Sequence, residues 1–187
     1  MTPFEYVTVL ISIILGMGIT QIVTGVADMI HQWSRIKLYW PHLLWVLFVF
    51  FLHIQEWWSV FELRPIQSWY LGTFMFVILY PINLFILARI LFPFGSTEGT
   101  DFKEFYFTNY RKFFFWAVIL PGLSIIDNVF INGYALKEQA LQIFLIVGLG
   151  LLLWRDVKTE WVHHLVVVIL FVILVTGMIF TDAVIQN

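Results

Sequence analysis

The chain has no cysteine, which excludes disulfides, thiolate metal sites and cysteine-bound iron–sulfur clusters. It is also poor in charge: 12% of its 187 residues are Asp, Glu, Lys or Arg, against 61% hydrophobic, and the mean hydropathy is +0.90. So little polar surface excludes a water-facing globule and points to an integral membrane protein. The sequence contains no H-E-x-x-H zinc motif, no G-x-S-x-G nucleophile elbow and no phosphate-binding G-x-x-x-x-G-K-[ST] loop. ATP-driven pumping by this chain alone therefore lacks its machinery. A retinal Schiff base needs a lysine inside a span, and Lys137 lies only at a helix end. The start Met1-Thr2-Pro3-Phe4-Glu5 lacks the basic region of a signal peptide, so the first apolar segment is expected to remain as a membrane helix. No loop is long enough to fold alone, and no internal repeat argues for paired three-helix units.

What the chain has in abundance is apolar and aromatic: nine Trp, seven Tyr and twenty Phe. Runs of about 20 apolar residues, the length needed to cross a bilayer, fall at Phe4 to Met29, Pro41 to Leu63, Trp69 to Phe92, Phe113 to Ile131, Gln139 to Trp154 and Trp161 to Val184. The expected fold is all-α, a polytopic six-transmembrane-helix bundle forming a single transmembrane domain over residues 1–187.

Six spans sort the basic residues into two groups. Arg35, Lys37, Arg89, Lys103, Arg111, Lys112, Arg155 and Lys158 fall at one end, and only Arg64 and Lys137 at the other. Because excess Lys and Arg mark the cytoplasmic side, both termini are expected outside, in the periplasm if the membrane is a bacterial inner membrane. Trp33, Trp40, Trp116, Trp154 and Trp161 then fall near the cytoplasmic boundary, and Trp57, Trp58 and Trp69 near the outer one. Before the fourth span, Asp101-Phe102-Lys103-Glu104 resembles a capping box. Phe105, Tyr106, Tyr110 and Phe113 follow at helical spacing, which predicts a short cytoplasmic interfacial helix running into that span.

Several polar residues interrupt the spans. In the first, Ser12, Gly16, Thr20, Thr24 and Asp28 recur every fourth residue with Gly18, Gln21 and Gly25 nearby, a pattern that lets helix backbones pack closely within or between subunits. Pro81 and Pro121 each leave a carbonyl without its helical donor, at Val77 and Ala117, and kinks are expected there. Asn83 follows the first proline, and Ser124, Asp127 and Asn128 follow the second. Broken helices beside polar groups recur at solute sites, although proline is also tolerated in membrane helices for packing alone.

The most informative interruption is His53-Ile54-Gln55-Glu56, inside the apolar run from Leu43 to Phe61. A carboxylate in lipid is costly and must meet protein, water or the membrane boundary. Trp40 to Trp57 spans about 26 Å, close to the hydrocarbon thickness, so Glu56 lies near the outer boundary with His53 about one turn deeper. Burial disfavours the charged form of both groups, which suits a proton relay or a cation site. Asp127 lies at comparable depth on the fourth span and is the expected partner. With Glu5, Glu62, Glu138 and Asp182, these carboxylates make the outer end acidic, which would concentrate cations.

The other histidines suggest a different chemistry. His42 and the His163-His164 pair open the second and sixth spans at similar depth, an arrangement that fits haem held by two imidazoles, or a metal. A hydrolase built from His53, Ser124 and Asp127 is a further arrangement these residue types permit. The leading expectation is a small oligomeric inner-membrane protein that conducts or transports protons or small cations. In it Glu56 titrates, His53 relays, and Asp127 and Gln55 line the path, with no cofactor. The alternatives are a non-conducting interaction or assembly subunit, and a haem-binding redox module. The expected partners are the lipid bilayer, further copies of the chain and an unidentified membrane protein, with no nucleic acid.

Overall fold

The computed structural model describes residues 2–66, 68–95 and 97–180, so Asp182 and the last residues of the expected sixth span lie outside it. The protein is 82% helix, and six helical stretches are long and apolar enough to cross a membrane: Pro3–His31, Trp40–Leu63, Leu71–Ile90, Phe102–Ile131, Leu136–Arg155 and Glu160–Ile179. This is the architecture of a multi-pass membrane protein, with six spans as expected.

Helix α1 (Pro3–His31) starts with a reciprocal cap. Thr2 Oγ1 accepts the Glu5 backbone N–H at 3.2 Å, and Glu5 Oε2 accepts the Thr2 N–H at 2.8 Å. Its buried face runs through Val7, Ile11, Leu15, Gly18, Ile22, Gly25 and Met29, a seven-residue repeat. Gly18 and Gly25 therefore sit at helix contacts, where added methyl groups would overlap the His53 imidazole and the Phe92 ring respectively. Ser12, Gly16 and Thr20, which share the four-residue spacing in the sequence, are exposed. Successive residues turn by about 100°, so Gly16 and Gly18 face nearly opposite directions.

Helix α2 (Trp40–Ser59) tightens into a 3₁₀ turn at Val60–Leu63. The third span breaks into α3 (Leu71–Val77) and α4 (Leu79–Ile90), the interruption lying where Pro81 leaves the Val77 carbonyl without a helical donor. Helix α5 (Phe102–Ile126) begins at Asp101, whose Oδ1 accepts the N–H groups of Lys103 and Glu104 at 3.0 and 3.3 Å. The segment expected to be interfacial forms its first turns, with no break before the span. Phe102, Tyr106, Tyr110 and Phe113 are buried, which anchors those turns to the bundle. Pro121 does not end α5; the irregularity comes later, as a π-helical turn at Asp127–Ile131. Helices α6 (Ala140–Arg155) and α7 (Glu160–Phe180) complete the chain.

Helix α4 packs on α1, α2 and α5, whereas α6 packs chiefly on α5 and α7 chiefly on α2. Ion pairs Arg35–Glu98 and Lys103–Glu160, both at 2.6 Å, tie the loops at the basic end together, as does Lys37–Asp101 at 3.3 Å. Inside that end runs a buried chain of hydrogen bonds. His163 Nε2 must donate to the Val157 carbonyl at 2.7 Å, so in the neutral ring Nδ1 accepts from the Tyr106 hydroxyl at 2.9 Å. Tyr106 in turn accepts the Trp45 indole N–H at 3.3 Å.

Candidate functional site

Three backbone irregularities converge at the acidic end: the 3₁₀ turn after α2, the break between α3 and α4, and the π turn after α5. Between them lies a cavity of about 300 Å³. Gln55, Glu56 and Ser59 enter it from α2, Glu62 from the 3₁₀ turn, and Tyr80 from the first turn of α4. Ser124, Asp127 and Asn128 enter from the end of α5, with Asn132 just beyond. A helix interior presents few polar backbone groups, so a polar cavity at a helix end calls for side chains and distorted turns of this kind.

The cavity brings Glu56, Gln55 and Asp127 together. Glu56 and Asp127 are half-buried, and Glu62 is exposed at the rim. The three carboxylates lie within electrostatic range of one another, and Glu56 and Asp127 both act on the Tyr80 phenol. No Lys or Arg is among the described lining residues; Arg64, close by in sequence, instead stacks its guanidinium over Phe61 at 5.3 Å. Asn132 Nδ2 donates to Asp127 Oδ2 at 3.0 Å, and Asn128 Nδ2 to Gln139 Oε1 at 2.7 Å, which holds the π turn in place. Carboxylates gathered without a fixed cation must take up protons or mobile cations to limit their repulsion.

His53 is not part of this cavity. It is fully buried against α1, donates from Nδ1 to the Val49 carbonyl at 2.7 Å, and turns Nε2 toward Gly18. Residues three apart on a helix differ by about 60° in azimuth. That offset directs His53 to α1 and Glu56 to the cavity, and it separates the expected relay pair. It also leaves His53 apart from Ser124 and Asp127, so the hydrolase arrangement is not assembled.

The histidines weighed for haem or metal are held in other ways. His163 uses both ring nitrogens in hydrogen bonds within the protein. His164 Nε2 lies 3.0 Å from the Tyr39 hydroxyl and 3.5 Å from Glu160. His42 is enclosed by the rings of Phe92, Phe102, Phe105 and Tyr106, with centroids 5.0 to 6.5 Å away. Among the described residues no three His, Cys, Asp or Glu side chains gather as a metal group.

Tyr80 was missed by the sequence reading, although its place beside Pro81 on the third span sets it at the depth of Glu56. A second cavity, of about 250 Å³ and largely apolar, adjoins the first, and Leu52, Gln55, Tyr80 and Ser124 line both. It is bounded toward the basic end by Trp45 and Phe113, whose rings meet with centroids 4.9 Å apart. The chain matches no known family model, no curated protein and no solved structure, so the reading of its site rests on this geometry alone.

Proposed function

We propose that the protein takes up protons or small cations at the acidic cavity and passes them across the membrane, with Glu56 and Asp127 as the paired carboxylates and Tyr80 as the adjoining hydrogen-bonding group. One observation carries this reading: three carboxylates share a cavity that, among the described residues, no basic side chain lines. The uneven distribution of Lys and Arg supports an outward-facing cavity, with both termini outside. An acidic mouth there would raise the local cation concentration. The cavity is built within one chain, so the proposal does not depend on the oligomer that the sequence suggests. Passage further inward requires the ring contacts around Trp45 to part, which makes this the closed end of the pathway.

Proton release on cation addition tests the site itself. In weakly buffered detergent solution at neutral pH, added Na⁺ or K⁺ should displace protons from the wild-type protein and displace far fewer from Glu56→Gln or Asp127→Asn. If acid–base titration and cation addition both leave the three proteins indistinguishable, the cavity does not bind cations. The polar residues would then serve packing, as in a non-conducting assembly subunit.

A further inference from the structure

The acidic cavity does not end in a wall of packed side chains. Leu52, Gln55, Tyr80 and Ser124 form a collar between it and the apolar chamber of about 250 Å³ that lies deeper among α2, α4, α5, α6 and α7. The chamber in turn adjoins a groove of about 200 Å³ between α6 and α7, and Leu145, Leu149 and Leu170 line both. Because α6 packs chiefly on α5 and α7 chiefly on α2, the two helices leave a gap between them at the level of the spans. Gly148 faces this groove, and a Cβ there would meet nothing within 4 Å. Polar and apolar spaces thus follow one another from the acidic mouth to the surface that the bilayer would cover.

The chamber holds one polar atom that packing does not explain. Gln142 Oε1 is buried, has no hydrogen-bond partner, and belongs to a residue of the chamber wall. A carbonyl oxygen can only accept, so this atom is open to a donor on the body of an occupant and does not bear on the ammonium group, which the carboxylates hold. An inorganic cation would fill the acidic cavity and leave the chamber empty. An apolar molecule would fill the chamber and leave the carboxylates uncompensated.

We infer that the acidic cavity and the apolar chamber form one amphipathic site for an organic cation, a protonated amine attached to an apolar body, reached from the bilayer between α6 and α7. The ammonium group sits among Glu56, Asp127 and Glu62, and the apolar body extends past the collar into the chamber. This rests on the reading of the acidic cavity as a cation site and names the class of cation it takes.

The test is binding of octylammonium and octanol to the protein in lipid nanodiscs, followed by Trp fluorescence against empty discs. Octylammonium should bind about tenfold more tightly than octanol, and Glu56→Gln should remove that preference while leaving octanol binding in place. Gly148→Leu, which fills the groove without a clash at Cβ, should slow binding of both compounds. It should leave Na⁺-driven proton release unchanged. Discs with and without phosphatidylethanolamine separate the two sources of an amine: weaker apparent octylammonium binding in its presence assigns the site to a lipid amine, and no change assigns it to a free one. Equal binding of octanol and octylammonium, or no binding of either while Na⁺ still releases protons, overturns this inference and leaves the cation site standing. Loss of proton release together with amine binding overturns both.

Discussion

Gly16 and Gly18 stand two residues apart in α1, and the structure gives them opposite roles. A methyl group on Gly18 would overlap the His53 imidazole, which is fully buried and fixed by its bond to the Val49 carbonyl. The ring cannot turn away without losing that bond, so Gly18→Ala should cost about 1–3 kcal/mol as an overpacked contact. Gly16 is exposed with nothing within 4 Å of its added Cβ. Gly16→Ala should therefore gain about 0.5–1 kcal/mol from helix propensity. Removing the imidazole with His53→Ala should abolish most of the Gly18→Ala penalty, which gives a coupling of about 1–3 kcal/mol in a double-mutant cycle. The assay is denaturant unfolding of purified protein in detergent, followed by Trp fluorescence, for both single glycine variants, His53→Ala and the Gly18/His53 double variant. Equal stability of the two glycine variants, or a Gly18→Ala penalty that persists without the imidazole, would refute the placement of α1 on α2.

Two further outcomes follow from the basic end. Tyr106→Phe leaves His163 Nδ1 and the Trp45 N–H without their partner, and at about 0.6–1.7 kcal/mol for each hydrogen bond inside a membrane the loss should be about 1–3 kcal/mol in the same assay. Asp156 ends α6 with φ +46°, and its carboxylate accepts the Tyr110 hydroxyl at 2.5 Å. That bond, followed by the charges of Lys158 and Arg111, holds its pKa below the ordinary 3.8. A lowered pKa contributes stability above pH 3.8 that is lost as the pH falls through the folded value. Asp156→Asn keeps a residue tolerant of the left-handed backbone and should flatten the acid limb of a stability–pH curve, whereas an unchanged limb would show that this carboxylate does not contribute.

The six spans were legible because hydropathy over some 20 residues depends on composition, not on which way any one side chain faces. The meeting of Glu56 with Asp127 was legible for a related reason: alternating spans fix depth, and both residues lie near the same end. Azimuth was not legible. His53 and Glu56 differ by a modest angle, and the approach of α1 at Gly18 decides which helix each one meets. The small-residue stripe of α1 divides for the same reason: a four-residue spacing drifts around the helix, and the face packed within the chain follows the repeat through Ile11, Leu15, Gly18 and Ile22. Tyr106 read as an interfacial aromatic because its partners, Trp45 and His163, come from spans distant in sequence.

Ion and proton flux into liposomes tests the central proposal most directly, with wild-type protein, Glu56→Gln and His53→Ala reconstituted at equal density and checked for folding. Flux is expected in the wild type, with loss in Glu56→Gln and retention in folded His53→Ala, because the imidazole faces α1 and not the cavity. Undiminished flux in Glu56→Gln, or no flux in the wild type under either sign of voltage and across a pH gradient, would contradict it.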